Sequence, residues 1–163
     1  MQQEFLPELI ALQEHKLSKQ EDIDEASAFL VRQGYSSHWG PAEMGPNKHP
    51  SAGVAVLISS RLGCKPVLVN APRARVAAAK VQLQNDTEFI FISAYLHSGR
   101  GLKAVNLELL GAVAALQQKH QRYILAGGDW QNRPAAFSST DFLFKGRLSI
   151  KSRKPPDLHN EKE

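Results

Sequence analysis

The alternation of short apolar runs with longer amphipathic segments constrains the fold of this chain more than any other feature. Six runs have the length and the apolar, β-branched character of strands, at residues 7–14, 52–59, 66–70, 76–84, 87–96 and 122–126. Asn85 and Asp86 separate two of them with the chemistry of a hairpin turn. The order of strand, helix, several strands, helix and strand predicts an α/β fold of two packed sheets with helices outside.

Two segments between these runs have helical spacing. Ser18 and Glu21 form a capping-box pattern that predicts a helix ended by Gly34. The packed face of this helix is expected to carry Ile23, Ala26, Phe29 and Leu30. Apolar residues recur at helical spacing again from Leu102 to about Lys119. The interval 41–51 has loop chemistry, and Gly127 with Gly128 is expected to stop the last strand in a turn.

Length and composition favour one soluble domain. The chain has 163 residues, of which 42% are hydrophobic. Because no apolar run is long enough to span a membrane and the N-terminus lacks a basic region before an apolar one, an intracellular protein, nuclear or cytoplasmic, is expected. Cys64 is the only cysteine, which excludes an internal disulfide and a cysteine-rich zinc site. We expect the domain at 1–144 and a loosely ordered basic, polar tail at 145–163.

The distribution of charge favours a polyanionic partner. Residues 1–25 carry seven acids and two bases, whereas the remaining residues carry 18 bases and nine acids. Such an excess attracts nucleic acid through phosphate contacts and counterion release. The alternative is a basic solvated surface on an ordinary domain.

Two acids stand at the ends of apolar runs, where sheet proteins concentrate their ligands. Glu14 follows the first run, and Asp129 follows the last run and its two glycines. Carboxylates that converge at strand ends bind Mg²⁺ or Mn²⁺, which prefer oxygen ligands. The alternative is that Glu14 is an exposed strand-end residue and Asp129 a turn residue. The histidines His15, His38, His49 and His120 lack metal-ligand spacing and are expected on the surface or in loops.

Four segments in order resemble motifs of one family. They are Ala-Leu-Gln-Glu-His-Lys-Leu at 11–17, Gly-Tyr at 34–35 with Ala-Gly-Val-Ala-Val-Leu at 52–57, Phe-Ile-Ser-Ala-Tyr at 91–95, and Ile-Leu-Ala-Gly-Gly-Asp-Trp-Gln at 124–131. Over roughly residues 6–133 the chain resembles the endonuclease/exonuclease/phosphatase superfamily. The resemblance implies a DNase I-like two-sheet α/β sandwich and metal-dependent phosphodiester hydrolysis. The basic excess favours nucleic acid over a small phosphate ester as the substrate.

The resemblance also implies roles for individual residues. Glu14 would hold Mg²⁺ or Mn²⁺, and Asp129 would orient or deprotonate the attacking water. Tyr95 would donate a hydrogen bond to a phosphate oxygen or a metal-bound water, or else is a half-buried sheet tyrosine. Gln131 stands where the family has an asparagine, and Trp130 is expected to pack beside Asp129.

The chain departs from the family pattern at both ends. It begins after the family's first strand, which carries a metal-binding asparagine, and lacks an intact Ser-Asp-His motif at its end. Residues 139–144 resemble the aspartate strand that precedes that motif, and 157–159 a remnant of the motif itself. The chain is therefore interpreted as an incomplete domain of this type. The alternatives are a catalytically inactive nucleic-acid-binding remnant and an ordinary α/β domain with an accidental resemblance.

Overall fold

The computed structural model describes residues 6–45, 47–63, 66–69, 74–83, 86–100 and 102–131. In this part of the chain, two helices and nine strands follow one another with a short 3₁₀ turn at Ser60–Leu62. The elements are β1 Leu9–Gln13, α1 Gln20–Arg32, β2 Tyr35–Gly40, β3 Glu43–Met44, β4 Pro50–Ser51, β5 Val54–Ser59, β6 Val67–Val69, β7 Val76–Gln82, β8 Glu88–Tyr95, α2 Ala104–His120 and β9 Tyr123–Asp129. The α/β class predicted from the sequence is confirmed.

Strand β5 is the centre of a three-stranded antiparallel sheet in the order β1-β5-β2. All six of its residues are buried, because both of its faces are covered. Val56 and its neighbours on one face pack against β7 and β8, whereas Leu57 on the other face packs near Leu30 of α1. A strand covered on both sides has no polar face, which explains the unbroken apolar run in the sequence.

A four-stranded sheet has the order β6-β7-β8-β9, with β8 and β9 parallel and joined by α2. Residues along β8 alternate between the two faces of this sheet. Ile90 and Ile92 pack with the buried side chains of α2, whereas Phe91 and Tyr95 pack towards β5. The parallel register places Tyr95 beside Asp129, so two predicted site residues share one end of the sheet.

Strand β9 does not stop at its two glycines, as the sequence predicted, but continues through them to Asp129. A Cβ atom on Gly127 would lie 2.6 Å from Cβ of Ala11, and one on Gly128 would collide with the backbone of Ala94. Glycine is therefore required here for the close approach of β9 to β1 and β8, and no turn is involved.

The first helix also differs from its prediction. Its N-cap is Lys19, whose side chain makes no cap hydrogen bond, so the capping box proposed for Ser18 is wrong. Glu21 and Asp22 in the first turn interact favourably with the helix dipole instead. Phe29 is 53% exposed and lies near Arg32, so it does not belong to the packed face.

Three further differences concern strands. The sequence did not reveal β2, since Tyr35-Ser-Ser-His-Trp-Gly has few apolar residues. The interval predicted as a loop contains the short pair β3–β4. Strand β9 lies at a sheet edge, with Tyr123 82% and Leu125 51% exposed, rather than being buried.

Cys64, the segments 139–144 and 157–159, and the tail 145–163 lie outside the described residues.

Candidate active site at the ends of β1, β8 and β9

Glu14 is exposed and lies directly beyond the end of β1. Its backbone is in the left-handed region, with φ 56°, which is rare for a residue with a side chain. Its Oε1 accepts a hydrogen bond of 2.6 Å from the hydroxyl of Tyr95. One carboxylate oxygen is thus held in place while the carboxylate remains open to solvent.

Tyr95 ends β8 as a buried sheet tyrosine whose hydroxyl lies at the candidate site. Its side chain is buried, with 7% exposure, in the apolar cluster between β5 and β8, yet its hydroxyl reaches Glu14. The hydrogen bond to Glu14 raises the pKa of Tyr95 above its ordinary value, and burial and the negative charges of Glu14 and Asp129 raise it further, opposed by Arg75. The hydroxyl therefore remains a neutral hydrogen-bond donor at neutral pH.

Asp129 is exposed at the end of β9, beside Tyr95 in the parallel register. Gln131 donates to both of its oxygens: the backbone N–H to Oδ1 at 3.1 Å and the side-chain Nε2 to Oδ2 at 2.5 Å. Gln131 has φ 52°, a second left-handed residue at the site. Trp130 packs against the cluster around α2, which confirms its predicted packing role.

A buried polar contact ties β1 to β8 beside the site. The side-chain Nε2 of Gln13 donates to Oγ of Ser93 at 2.9 Å, and that hydroxyl donates to the carbonyl of Leu12 at 2.8 Å. Ser93 is fully buried. Because Gln13 precedes Glu14 and Ser93 lies two residues before Tyr95, this contact fixes the spacing of the two site residues.

Arg75 lies beside the site and was missed by the sequence interpretation. The residue is 7% exposed, and its Cζ lies 5.1 Å from the ring centroid of Tyr95. Its Nε lies 3.6 Å from Oε2 of Glu43, a charge pair that is too long for a hydrogen bond. Among the described residues, neither Nε nor Nη1 finds a hydrogen-bond acceptor. In the sequence, Arg75 is simply one base among many in front of an alanine-rich strand.

Two histidines expected on the surface or in loops are half-buried instead. His15 makes hydrogen bonds with Gly40, Val54 and Leu17. Burial lowers its pKa, opposed by the hydrogen bonds to the carbonyls of Val54 and Gly40. Burial also lowers the pKa of His38 on β2.

The side-chain oxygens at the site are ligands of the kind that Mg²⁺ prefers, but they are too few to surround an ion. Glu14 and Asp129 offer carboxylate oxygens, and Gln131 offers an amide oxygen. Across the described ranges, no three His, Cys, Asp or Glu side chains are grouped so that they could hold a metal ion. Mg²⁺ is commonly bound through one or two carboxylates and keeps several waters, so these residues suit it.

Comparison with known proteins identifies the fold. No protein-family model matches the chain, and neither does any curated protein sequence. The catalytic domain of human Nocturnin, solved with a bound sulfate anion, superposes with a TM-score of 0.61 at 18% identity, covering 92% of this chain and 64% of that one. ANGEL2, described as a 2′,3′-cyclic phosphatase, gives a TM-score of 0.57 at 17% identity over 84% of this chain and 42% of that one.

A third solved structure is D. rerio TDP2 in complex with a single-strand DNA product, with a TM-score of 0.51 at 14% identity over 81% of this chain and 51% of that one. The chain thus spans less than two thirds of the length of each of these three structures. None of the described helices is both long enough and apolar enough to cross a membrane. The chain has the DNase I-like fold that these members of the endonuclease/exonuclease/phosphatase superfamily share.

Proposed function

We propose that this protein is a metal-dependent phosphodiester hydrolase of the endonuclease/exonuclease/phosphatase type that acts on nucleic acid. The observation that carries the proposal is the 2.6 Å hydrogen bond from Tyr95 to Glu14, made beside Asp129. Three side chains from distant parts of the sequence, each assigned to the site by its motif, meet at one end of the fold. If the resemblance to the family were accidental, these three side chains would not be expected to lie together.

Asp129 serves as the group that orients the attacking water and accepts its proton. Gln131 donates one hydrogen bond to each carboxylate oxygen, which fixes the plane of the carboxylate and leaves further lone pairs for a water. Gln131 thereby takes the place of the family's asparagine. Its longer side chain reaches back to the aspartate two positions earlier.

Glu14, with Asp129 nearby, is the residue that would hold Mg²⁺ or Mn²⁺. When bound, such an ion neutralises charge that develops on the phosphate during hydrolysis. Tyr95 contributes by fixing Oε1 of Glu14 and leaving Oε2 free for coordination. Removing the hydroxyl would free the carboxylate to rotate.

Arg75 is the cation that supports a phosphate at this site. Its Nε and Nη1 have no hydrogen-bond acceptor among the described residues, and its Cζ lies 5.1 Å from the ring centroid of Tyr95. A guanidinium with donors to spare suits an anionic oxygen ligand. Glu43 balances its charge without occupying these donors, because the distance of 3.6 Å exceeds that of a hydrogen bond.

The two sheets are proposed to form the two-sheet α/β sandwich of this superfamily. In support, Val56 of β5 and Ala79 of β7 share one buried cluster with Phe91 of β8, so apolar side chains from both sheets pack together. The ends of β1, β8 and β9 then form a common rim on which the site lies.

Nucleic acid is the favoured substrate for two reasons. Residues 26–163 carry 18 bases and nine acids, a balance that attracts a polyphosphate chain. One solved structure with this fold holds a single-strand DNA product. Another is a 2′,3′-cyclic phosphatase, so an RNA end that carries a cyclic phosphate is the second substrate to test.

The test is cleavage by the full 163-residue chain with Mg²⁺ or Mn²⁺. Supercoiled plasmid, single-stranded DNA and RNA ending in a 2′,3′-cyclic phosphate separate the substrate classes. Asp129→Asn should lower the rate by about 10²–10⁴-fold, the usual contribution of general acid–base catalysis. The control is Asp22→Asn, the same charge change at an exposed position of α1, which should leave the rate unchanged.

The competing function is nucleic-acid binding without chemistry. It is favoured by the small number of ligands at the site, since the described residues include no group of three metal-binding side chains. Folded protein that binds these nucleic acids without cleaving them, with either ion, would replace the hydrolase proposal by this one.

A further inference from the structure

The turn that follows β1 holds Glu14 in an unfavourable backbone conformation. Glu14 and Lys16 both adopt the left-handed region, with φ 56° and 59°. A residue with a side chain pays roughly 1–2 kcal/mol for this conformation. Such a turn persists only where surrounding contacts fix it more strongly than this cost.

The ring of His15 supplies those contacts from the middle of the turn. Its Nε2 lies 3.2 Å from the carbonyl oxygen of Gly40 and 3.3 Å from that of Val54. Its Nδ1 accepts the backbone N–H of Leu17 at 3.0 Å. Since carbonyls only accept and an N–H only donates, these partners assign the neutral ring with its proton on Nε2.

Packing fixes the same ring from two sides. Trp39 makes an edge-to-face contact with it, with centroids 5.0 Å apart and an interplanar angle of 89°. Gly53, with φ 86°, lies so close that a Cβ there would be 2.6 Å from Cε1 of the ring. Lys16 adds a backbone hydrogen bond of 3.1 Å to the carbonyl of Ala52. These contacts thus hold the turn against the segments that flank β5.

We propose that His15 is a positioning residue that holds Glu14 in its left-handed conformation, so that the carboxylate faces Tyr95 and the metal site. The inference rests on the proposed function for the role of Glu14. The effect of His15 on the backbone is independent of that function.

Variants of His15 separate its contacts. His15→Phe keeps an aromatic ring but removes all three hydrogen bonds, whereas His15→Asn restores an acceptor two bonds from Cβ, where Nδ1 lies in histidine. His15→Phe should weaken Mn²⁺ binding, measured by electron paramagnetic resonance, about tenfold, the equivalent of one or two net hydrogen bonds. His15→Asn should recover most of that loss.

The matched control is His38→Phe, because His38 is also half-buried but its Nε2 has no partner among the described residues. This variant should bind Mn²⁺ like the wild type. Equal Mn²⁺ affinity in His15→Phe and the wild type would overturn the inference, as would an equal loss in both phenylalanine variants.

A metal-free measurement tests the backbone separately. In the wild type, ¹⁵N chemical shifts of the ring should show the neutral form protonated on Nε2, and ¹³Cα shifts with three-bond couplings should show left-handed Glu14. His15→Phe should lose the left-handed signature of Glu14, and a Glu14 that keeps it would overturn the inference. A wild type that shows both signatures but binds no Mn²⁺ would refute the proposed function and leave the positioning of Glu14 by His15 intact.

Discussion

The hydroxyl of Tyr95 lies 2.6 Å from Oε1 of Glu14, although 81 positions of sequence separate the two residues. Tyr95 ends a strand of the four-stranded sheet, and Glu14 follows a strand of the three-stranded sheet. The contact therefore spans the boundary between the two sheets. Any change that shifts one sheet against the other should therefore change the geometry of the candidate site.

Removal of the Tyr95 hydroxyl tests this contact directly. Tyr95→Phe keeps the buried ring and leaves the exposed carboxylate of Glu14 to solvent, so the free energy of unfolding should change little. Without this hydrogen bond the Glu14 carboxylate is free to rotate, and misplacement of a group at the site can cost up to about 10²-fold, so the rate of cleavage should fall by roughly 10- to 100-fold. Single-turnover cleavage at saturating Mg²⁺ measures the effect.

Tyr35 offers a matched control for that variant. It is also buried, and its hydroxyl donates a hydrogen bond of 2.6 Å to the carbonyl of Pro7. Tyr35→Phe makes the same chemical change away from the site and should lower stability without changing the rate of the folded protein. If both variants slow cleavage equally, the Tyr95–Glu14 contact has no special part in the reaction.

Because β9 lies close to β1, we expect a second substitution to restore stability that Gly127→Ala removes. Gly127→Ala places a Cβ 2.6 Å from Cβ of Ala11, and overpacking of this kind costs about 1–3 kcal/mol. Adding Ala11→Gly should restore part of that stability, giving a favourable coupling between the two substitutions. Urea unfolding of the wild type, both single variants and the double variant measures the coupling.

Gly111 supplies the contrast to this prediction. It lies exposed on α2, where an added Cβ meets nothing within 4 Å. Gly111→Ala should therefore stabilise the protein by about 0.5–1 kcal/mol through helix propensity. If Gly127→Ala were equally harmless, β9 would not lie as close to β1 as described.

The sequence predicted the two acids of the candidate site because strand ends are visible in a one-dimensional pattern. Glu14 and Asp129 each follow an apolar run, and the structure brings both to the rim where Tyr95 lies. The two helices were predictable for the same reason, since the helical spacing of apolar residues is a local property. The residue at which a helix begins was harder to predict, since the N-cap of α1 is Lys19 and not the expected Ser18.

Other features depend on contacts that no local pattern encodes. Arg75 acquires its position from burial beside Tyr95 and Glu43, which lie far from it in the sequence. Two consecutive glycines occur both in turns and where neighbouring strands approach closely, and the sequence does not distinguish these cases. The role of Gly127 was therefore predicted wrongly. His15 seemed an ordinary loop residue because its hydrogen-bond partners come from the ends of β2 and β5.

Burial of His38 predicts a dependence of stability on pH. Burial lowers its pKa in the folded protein, so the unfolded chain binds a proton more readily. The free energy of unfolding should therefore decrease as pH falls below about 6.5, the ordinary value for histidine, and should be insensitive to this group at higher pH. His15, whose pKa is lowered too, acts in the same direction.

Urea unfolding between about pH 5 and pH 8 measures this dependence. His38→Gln should reduce the decrease in stability at acidic pH without abolishing it, because His15 remains. His49→Gln is the control for the loss of a histidine at an exposed position, since His49 is exposed in the interval between β3 and β4. Identical profiles for the wild type and His38→Gln would contradict the assignment.

Arg75 gives the prediction that best separates binding from folding. Removing one partner of an ion pair is destabilising when it leaves the other charge buried, but Glu43, with a side chain 48% exposed, can be solvated alone. The variant also removes two buried donors, Nε and Nη1, that have no acceptor among the described residues. Arg75→Met should therefore unfold at the same or a higher urea concentration than the wild type. It should nevertheless raise KM for nucleic acid by roughly 10- to 100-fold, because a charge-assisted contact with phosphate is lost.

Two further variants make this result specific. Arg75→Lys keeps the charge but not the planar fork of donors, so its KM should lie between those of the wild type and Arg75→Met. Arg122→Met removes a surface arginine that pairs with Glu88 at the start of β8, at the opposite end of that strand from Tyr95, and should leave KM almost unchanged. If Arg122→Met raised KM as much as Arg75→Met, the general basic charge of the protein would bind the substrate. If Arg75→Met instead unfolded the protein, the guanidinium would be a structural ion-pair partner of Glu43 and the phosphate role would be lost.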